Sequence, residues 1–123
     1  MKYTESELEI LQVLWANKQA TVREVHEELA KNKEAGYTTT LKLMQIMFEK
    51  GLVDRDASAK THIYKARVSQ KQAQKSALDK VLSTVFKGST ADLVMQVLGN
   101  HETSTDEIEA IKNYLNQFNP PKK

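Results

Sequence analysis

Along the first half of the chain, apolar residues recur at three- and four-residue intervals in three runs, each bounded by polar stops. Thr4-Glu5-Ser6-Glu7 has the spacing of a capping box, in which the Thr hydroxyl and the Glu carboxylate each satisfy a free amide of the first turn. Leu8, Leu11, Leu14 and Trp15, helped by Ile10 and Val13, then predict a helix ending near Asn17-Lys18. Ala20 is a short bridge. Thr21-Val22-Arg23-Glu24 repeats the box and opens a helix with Val22, Val25 and Leu29 on one face. Polar residues 31–36 end in Gly and suit a turn. A third helix, starting at about Thr38 and stopping before Gly51, has two faces. Leu43, Met44, Met47 and Phe48 form an apolar stripe, and Thr38, Lys42, Gln45 and Glu49 recur on another side. Residues 52–54 and 62–67 read as two short strands around a polar tip at 56–60, with Ile63 apolar and Tyr64-Lys65 setting an aromatic beside a base.

After Ser69 the pattern becomes purely helical. Ala77, Leu78, Val81, Leu82, Val85 and Phe86 give residues 70–87 a broad apolar face, and Gly88-Ser89 breaks it. Ala91, Leu93, Val94, Met95, Val97 and Leu98 predict a short helix that is apolar nearly all round, hence expected to be buried on most sides. Ser104-Thr105-Asp106-Glu107 is a third capping box, and Ile108, Ile111, Leu115 and Phe118 form the last stripe. Residues 119–123, with two prolines, read as a frayed tail.

Helices two and three, joined by a short Gly-containing turn and followed by a basic hairpin, match a winged helix-turn-helix. The expected fold class is mainly α with an α+β wing: a winged helix-turn-helix DNA-binding domain over residues 1–68, then a three-helix dimerisation region over 69–123. Thr, Lys and Gln on the third helix have the chemistry to meet base edges and phosphates in a major groove. Lys60, His62 and Lys65 on the hairpin are assigned to phosphates or the minor-groove edge. Bulk charge, formally +2, says little, but its distribution says more. Residues 37–67 hold six bases against three acids, a net +3, and residues 1–36 hold five against seven, a net −2.

The three helices of the second region span only about 50 residues, a size that rarely buries enough surface to stand alone. A second copy of the chain is the simplest remedy, and a two-fold dimer suits a reader of palindromic DNA. Leu78, Val81, Leu82, Val85, Leu93, Val94, Val97 and Leu98, with Ile111 and Leu115 of the last helix, are the expected dimerisation residues.

The chain contains no cysteine, which removes a disulfide framework, a thiolate metal site and a thiol switch. No apolar run approaches a membrane span, and the first residues open no signal peptide, so a cytoplasmic location is expected without a membrane partner. His26, His62 and His101 are scattered and form no catalytic or ligand constellation. No enzyme, cofactor or metal is expected. The rival to a DNA-binding reading is a winged-helix module that binds protein, with Ile46 as an exposed apolar anchor.

These residues resemble the penicillinase-repressor (BlaI/MecI) family over nearly the whole length. The resemblance is carried by Glu7 to Trp15 (ELEILQVLW), Thr21 to Val25, Tyr37-Thr38-Thr39 with Leu41 to Gln45, Lys50 to Val53, and Ser83 to Gly88 with Asp92-Leu93-Val94. No single motif is decisive; order and spacing are specific together. The resemblance implies a homodimeric repressor on an operator, with Thr38, Thr39, Lys42 and Gln45 facing the major groove. It also implies, for some members, a sensor-linked protease that cuts in the short middle helix of the dimerisation region, where the matching bond is Gln96-Val97. Position 46, usually Arg in the family, is Ile46 here. Copper-responsive relatives carry a Cys-rich tail, which this chain lacks. The inducing signal stays open.

Overall fold

The computed structural model describes residues 3–118. Their order is α1 (Glu5–Asn17), β1 (Ala20–Thr21), α2 (Val22–Ala30), α3 (Tyr37–Glu49), β2 (Val53–Asp56), β3 (Ile63–Ala66), α4 (Gln70–Thr84), α5 (Thr90–Asn100) and α6 (Thr105–Asn116). The fold is mainly α with a small antiparallel sheet of order β1-β3-β2, a winged helix. Two compact units divide the chain, Met1–Asp79 and Lys80–Lys123. The wing domain expected over residues 1–68 makes up most of the first, which also takes in the start of α4, where Ala73 is buried. The tail at 119–123 lies outside the described residues.

Local chemistry starts and stops the helices. The Thr4 hydroxyl accepts from the Glu7 amide at 3.1 Å, and the Thr4 amide donates to Glu7 at 2.9 Å. Thr21 and Glu24 make the same exchange at 3.1 and 2.9 Å. Each such cap is worth about 1 kcal/mol. Helix α3 starts one residue earlier than expected, from Gly36, with no side-chain cap. It ends in a Schellman motif. The Leu52 amide donates to the Met47 carbonyl at 2.9 Å and the Gly51 amide to Phe48 at 3.1 Å. This turn needs the left-handed φ of 82° that Gly51 supplies. Met47 and Leu52, the two ends of the motif, are both fully buried.

The core of the first unit joins Ile10, Leu11 and Leu14 of α1, Val22 and Val25 of α2, Met44 and Met47 of α3, and Leu52, Val53 and Tyr64 of the hairpin. Trp15 packs against this cluster and its indole N–H donates to the Val68 carbonyl at 3.0 Å, which anchors the chain as it leaves β3. Tyr64 and Lys65, read together as an aromatic beside a base, part company in the structure. Side chains alternate along a strand, and pairing of Tyr64 with both Ala20 and Arg55 turns its ring inward, to 1% exposure.

The second unit departs from expectation in another way. Helix α4 stops at Thr84, short of 87. Ser83 and Thr84 hydroxyls both turn back onto the Lys80 carbonyl, at 3.2 and 2.6 Å, and Lys87 and Gly88 take positive φ. Helix α5, expected to be buried on most sides, has no buried residue, and neither has α6. Met95 is 70% exposed. The apolar surface is present as read, but no described side chain from Lys80 onward is buried.

Candidate nucleic-acid interface

Helix α3 presents its two faces as its sequence requires. Thr40, Met44 and Met47 are buried, while Thr38, Thr39, Lys42, Gln45, Ile46 and Glu49 are exposed. With 3.6 residues per turn, the exposed set occupies one continuous side of the helix. The core clamps the helix from behind, so these side chains sit on a rigid element rather than on a loop.

The fold uses part of the positive charge for its own purposes. Lys50 pairs with Glu7 at 2.7 Å, across 43 positions of sequence. Glu7 is itself buried. Burial pushes its carboxyl up, but hydrogen bonds from Lys50 and the Thr4 amide and the Lys50 charge outweigh that and hold it below the usual glutamate range. Arg67 pairs with Asp54 at 2.7 Å, and the Arg55 guanidinium lies 4.1 Å over the Phe48 ring. Of the six bases between residues 37 and 67, Lys42, Lys60 and Lys65 have neither an ion pair nor a ring contact with any described residue. These are three of the positions that the sequence assigned to DNA.

The wing divides them further. Val22 and Arg23 of α2, Tyr37, Leu41 and Gln45 of α3, and Lys60, Thr61, His62 and Tyr64 of the hairpin surround a cleft of about 420 Å3. Gln45, Lys60 and His62 therefore come together. Lys65 does not join them. It alternates to the other side of β3, opposite Asp54, and lines a smaller hollow with Asp54 and Asp56. Thr39 lies toward α1 and α2, beside Ser6, Glu9 and Lys33. The hairpin tip is shaped by Asp56, whose carboxylate accepts from the Ser58 amide at 2.9 Å and is held below its ordinary pKa by that bond.

One charged residue of the cleft, Arg23, escaped the sequence reading. The Arg23 guanidinium lies 5.4 Å from the Tyr37 ring centroid, and His26 meets the same ring edge-on at 5.7 Å. A signal for Arg23 was present. It occupies the first turn of α2, where a cation opposes the helix dipole, and a broken local rule marks a site with another task. Among the described residues no group of three or more His, Asp or Glu converges to hold a metal ion, and no described helix is long and apolar enough to cross a membrane.

The residues assigned to pairing lie on α4, α5 and α6, with Val85 just past the end of α4. Leu78, Val81, Val85, Val94, Val97, Leu98 and Leu115 are exposed, and Leu82, Leu93 and Ile111 are half-buried. Tyr114 and Phe118 stack edge-to-face at 4.8 Å, both open to solvent.

Comparison with known proteins gives one consistent answer. The sequence model of the penicillinase repressor family matches residues 3–117. A methicillin resistance regulatory protein, MecI of Staphylococcus aureus strain N315, is 27% identical over 112 residues, covering 91% of this chain and 91% of that one. A penicillinase repressor of Staphylococcus aureus is 22% identical over 113 residues, 92% of this chain and 90% of its own. A penicillinase repressor of Bacillus licheniformis is 21% identical over 120 residues, 98% and 94%.

Proposed function

The chain belongs to the penicillinase repressor family and is a transcriptional repressor, and we propose that it acts in the cytoplasm as a homodimer on a palindromic operator. Residues 1–68 hold the DNA and residues 69–123 hold the partner copy. Lys42 and Gln45 read the major groove from α3, flanked by Thr38 and Thr39. Lys60 and His62, with Arg23 across the cleft, grip the phosphate backbone beside it. Lys65 meets a phosphate from the other side of the hairpin. Phosphate contacts set position and affinity, and base contacts set sequence.

The observation that carries this reading is the distribution of unpaired charge. Lys50 and Arg67 are tied into ion pairs with acids, whereas Arg23, which lies over the Tyr37 ring, and Lys60 line one cleft with no acid among its described lining residues. Homodimerisation is supported by the second unit, in which Val85, Val94, Met95, Val97, Leu98 and Leu115 are exposed and no described side chain is buried. Release follows loss of the dimer. Gln96 and Val97 are both exposed on α5, and a cut there by a sensor-linked protease would detach α6 from the pairing surface.

The test is binding of the full chain to mixed-sequence duplex at two salt concentrations. Neutralised phosphates release counterions, so affinity should fall steeply with salt. Binding that is absent, or indifferent to salt, would favour a winged-helix module that binds protein.

A further inference from the structure

Ile46 stands outside the core cluster. It is 38% exposed in the middle of α3 and does not pack against the core, unlike its neighbours Leu41, Leu43 and Phe48. A β-branched residue also adds nothing to helix propensity at such a position. Among the described residues of the first unit, the exposed large apolar side chains are Tyr37, Ile46 and Leu78. Tyr37 is engaged by Arg23 and His26. Leu78 lies on α4. Ile46 alone interrupts the polar reading side, one turn beyond Lys42, next to Gln45 and one turn before Glu49.

We propose that Ile46 is a specificity-determining contact, its side chain packing on the C5 methyl of a thymine in each operator half-site. The inference rests on the operator-binding reading above and adds a base to it. In the major groove, guanine offers acceptors, cytosine a donor, adenine one of each, and thymine an acceptor beside a methyl group. An aliphatic side chain pressed on any of the first three strips water from polar atoms and returns no hydrogen bond. Against the thymine methyl, both partners lose apolar surface to water together. Ile46 therefore selects thymine both by attraction to the methyl and by the cost of the alternatives.

The contact carries no charge, which separates it from its neighbours. Loss of Lys42 should lower the salt slope of binding by about one. Loss of Ile46 should leave the slope alone and change only which sequences are bound.

The experiment starts from random-sequence duplex enriched on the full-length protein. Each thymine of the selected site is then replaced singly by uracil, which removes the methyl and keeps every hydrogen-bonding group. One thymine per half-site should lose about fourfold in affinity on replacement, the worth of one buried methyl group. Ile46→Ala should bind the thymine and uracil duplexes equally, at an unchanged salt slope, and Ile46→Val should keep the preference. Circular dichroism of both variants checks the fold, which an exposed side chain does not support. A selected site that tolerates uracil at every position overturns the Ile46 contact and leaves operator binding standing. A difference between thymine and uracil that persists in Ile46→Ala assigns the methyl to another residue and also overturns it. Failure to enrich any sequence removes the operator reading, and this inference with it.

Discussion

The first unit buries most of its apolar side chains and exposes a charged face; the second exposes most of its apolar side chains and, among the described residues, buries none. Both are built from amphipathic helices of similar length, so helix formation does not separate them. The difference lies in what each helix finds to pack against. Leu11, Leu14, Val25, Met44 and Met47 close on one another and on the hairpin, and reach 0–1% exposure. Val85, at 67% exposure, and the apolar residues of α5 and α6 have no such cover. A core of its own makes a region self-sufficient and leaves its surface available for a polar ligand. A core completed by another copy makes folding and association one event.

The comparison is broken most severely by removing part of the second unit. A chain ending at Gln96 loses Ile108, Ile111 and Leu115. Two half-sites held by a linked dimer gain from effective concentration, so operator affinity should fall about 10²- to 10⁴-fold in a gel shift. The circular dichroism of the winged helix should survive. Undiminished binding by the truncated chain would separate repression from pairing.

Matched core substitutions sharpen it. Leu14→Ala should cost about 2–5 kcal/mol of stability in the first unit, the same at any protein concentration. If the proposed dimer covers Leu98, Leu98→Ala should instead lower a melting temperature that itself falls as the protein is diluted. Thermal melts at two concentrations distinguish the two.

On the polar side, Gln45→Ala should cost about 1–3 kcal/mol at one operator position, and Lys42→Ala should lower the salt slope by about one. Neither should move the melting temperature, since both side chains leave the core stripe untouched. Equal affinity for both variants would show that α3 is not the reader.

The smallest effect concerns acid. Glu7 is held below its usual range in the folded chain, so its contribution to stability is complete above the unfolded value and is lost as pH falls through the lower folded one. Stability should decline as pH falls below the ordinary glutamate value of about 4.3. Glu7→Gln keeps an acceptor for the Thr4 amide but not the pair with Lys50, and should flatten that decline. Denaturant melts across the range read it directly.

Much of this was legible in the chain because it is local. The Thr4, Thr21 and Ser104 capping boxes act over three residues, and all three form. The Gly51 stop and the two faces of α3 likewise depend on nearest turns. What depended on distant partners was not legible. The strand phase that buries Tyr64 is set by pairing with Ala20 and Arg55, and a four-residue strand shows too little alternation to reveal it. Nothing near Lys50 in sequence points to Glu7. The gathering of Arg23 with Gln45, Lys60 and His62 needs three elements to fold together. The periodicity of α5 displayed its apolar surface correctly, but periodicity does not say whether the cover comes from the same chain.

That last distinction is the centre of the account, and sedimentation of the full-length protein at micromolar concentration tests it most directly. The account predicts a folded species of twice the chain's 14.0 kDa, which Val94→Asp or Leu98→Asp splits or unfolds in its second half. A well-folded wild-type monomer, with its second unit cooperative on its own, would contradict it.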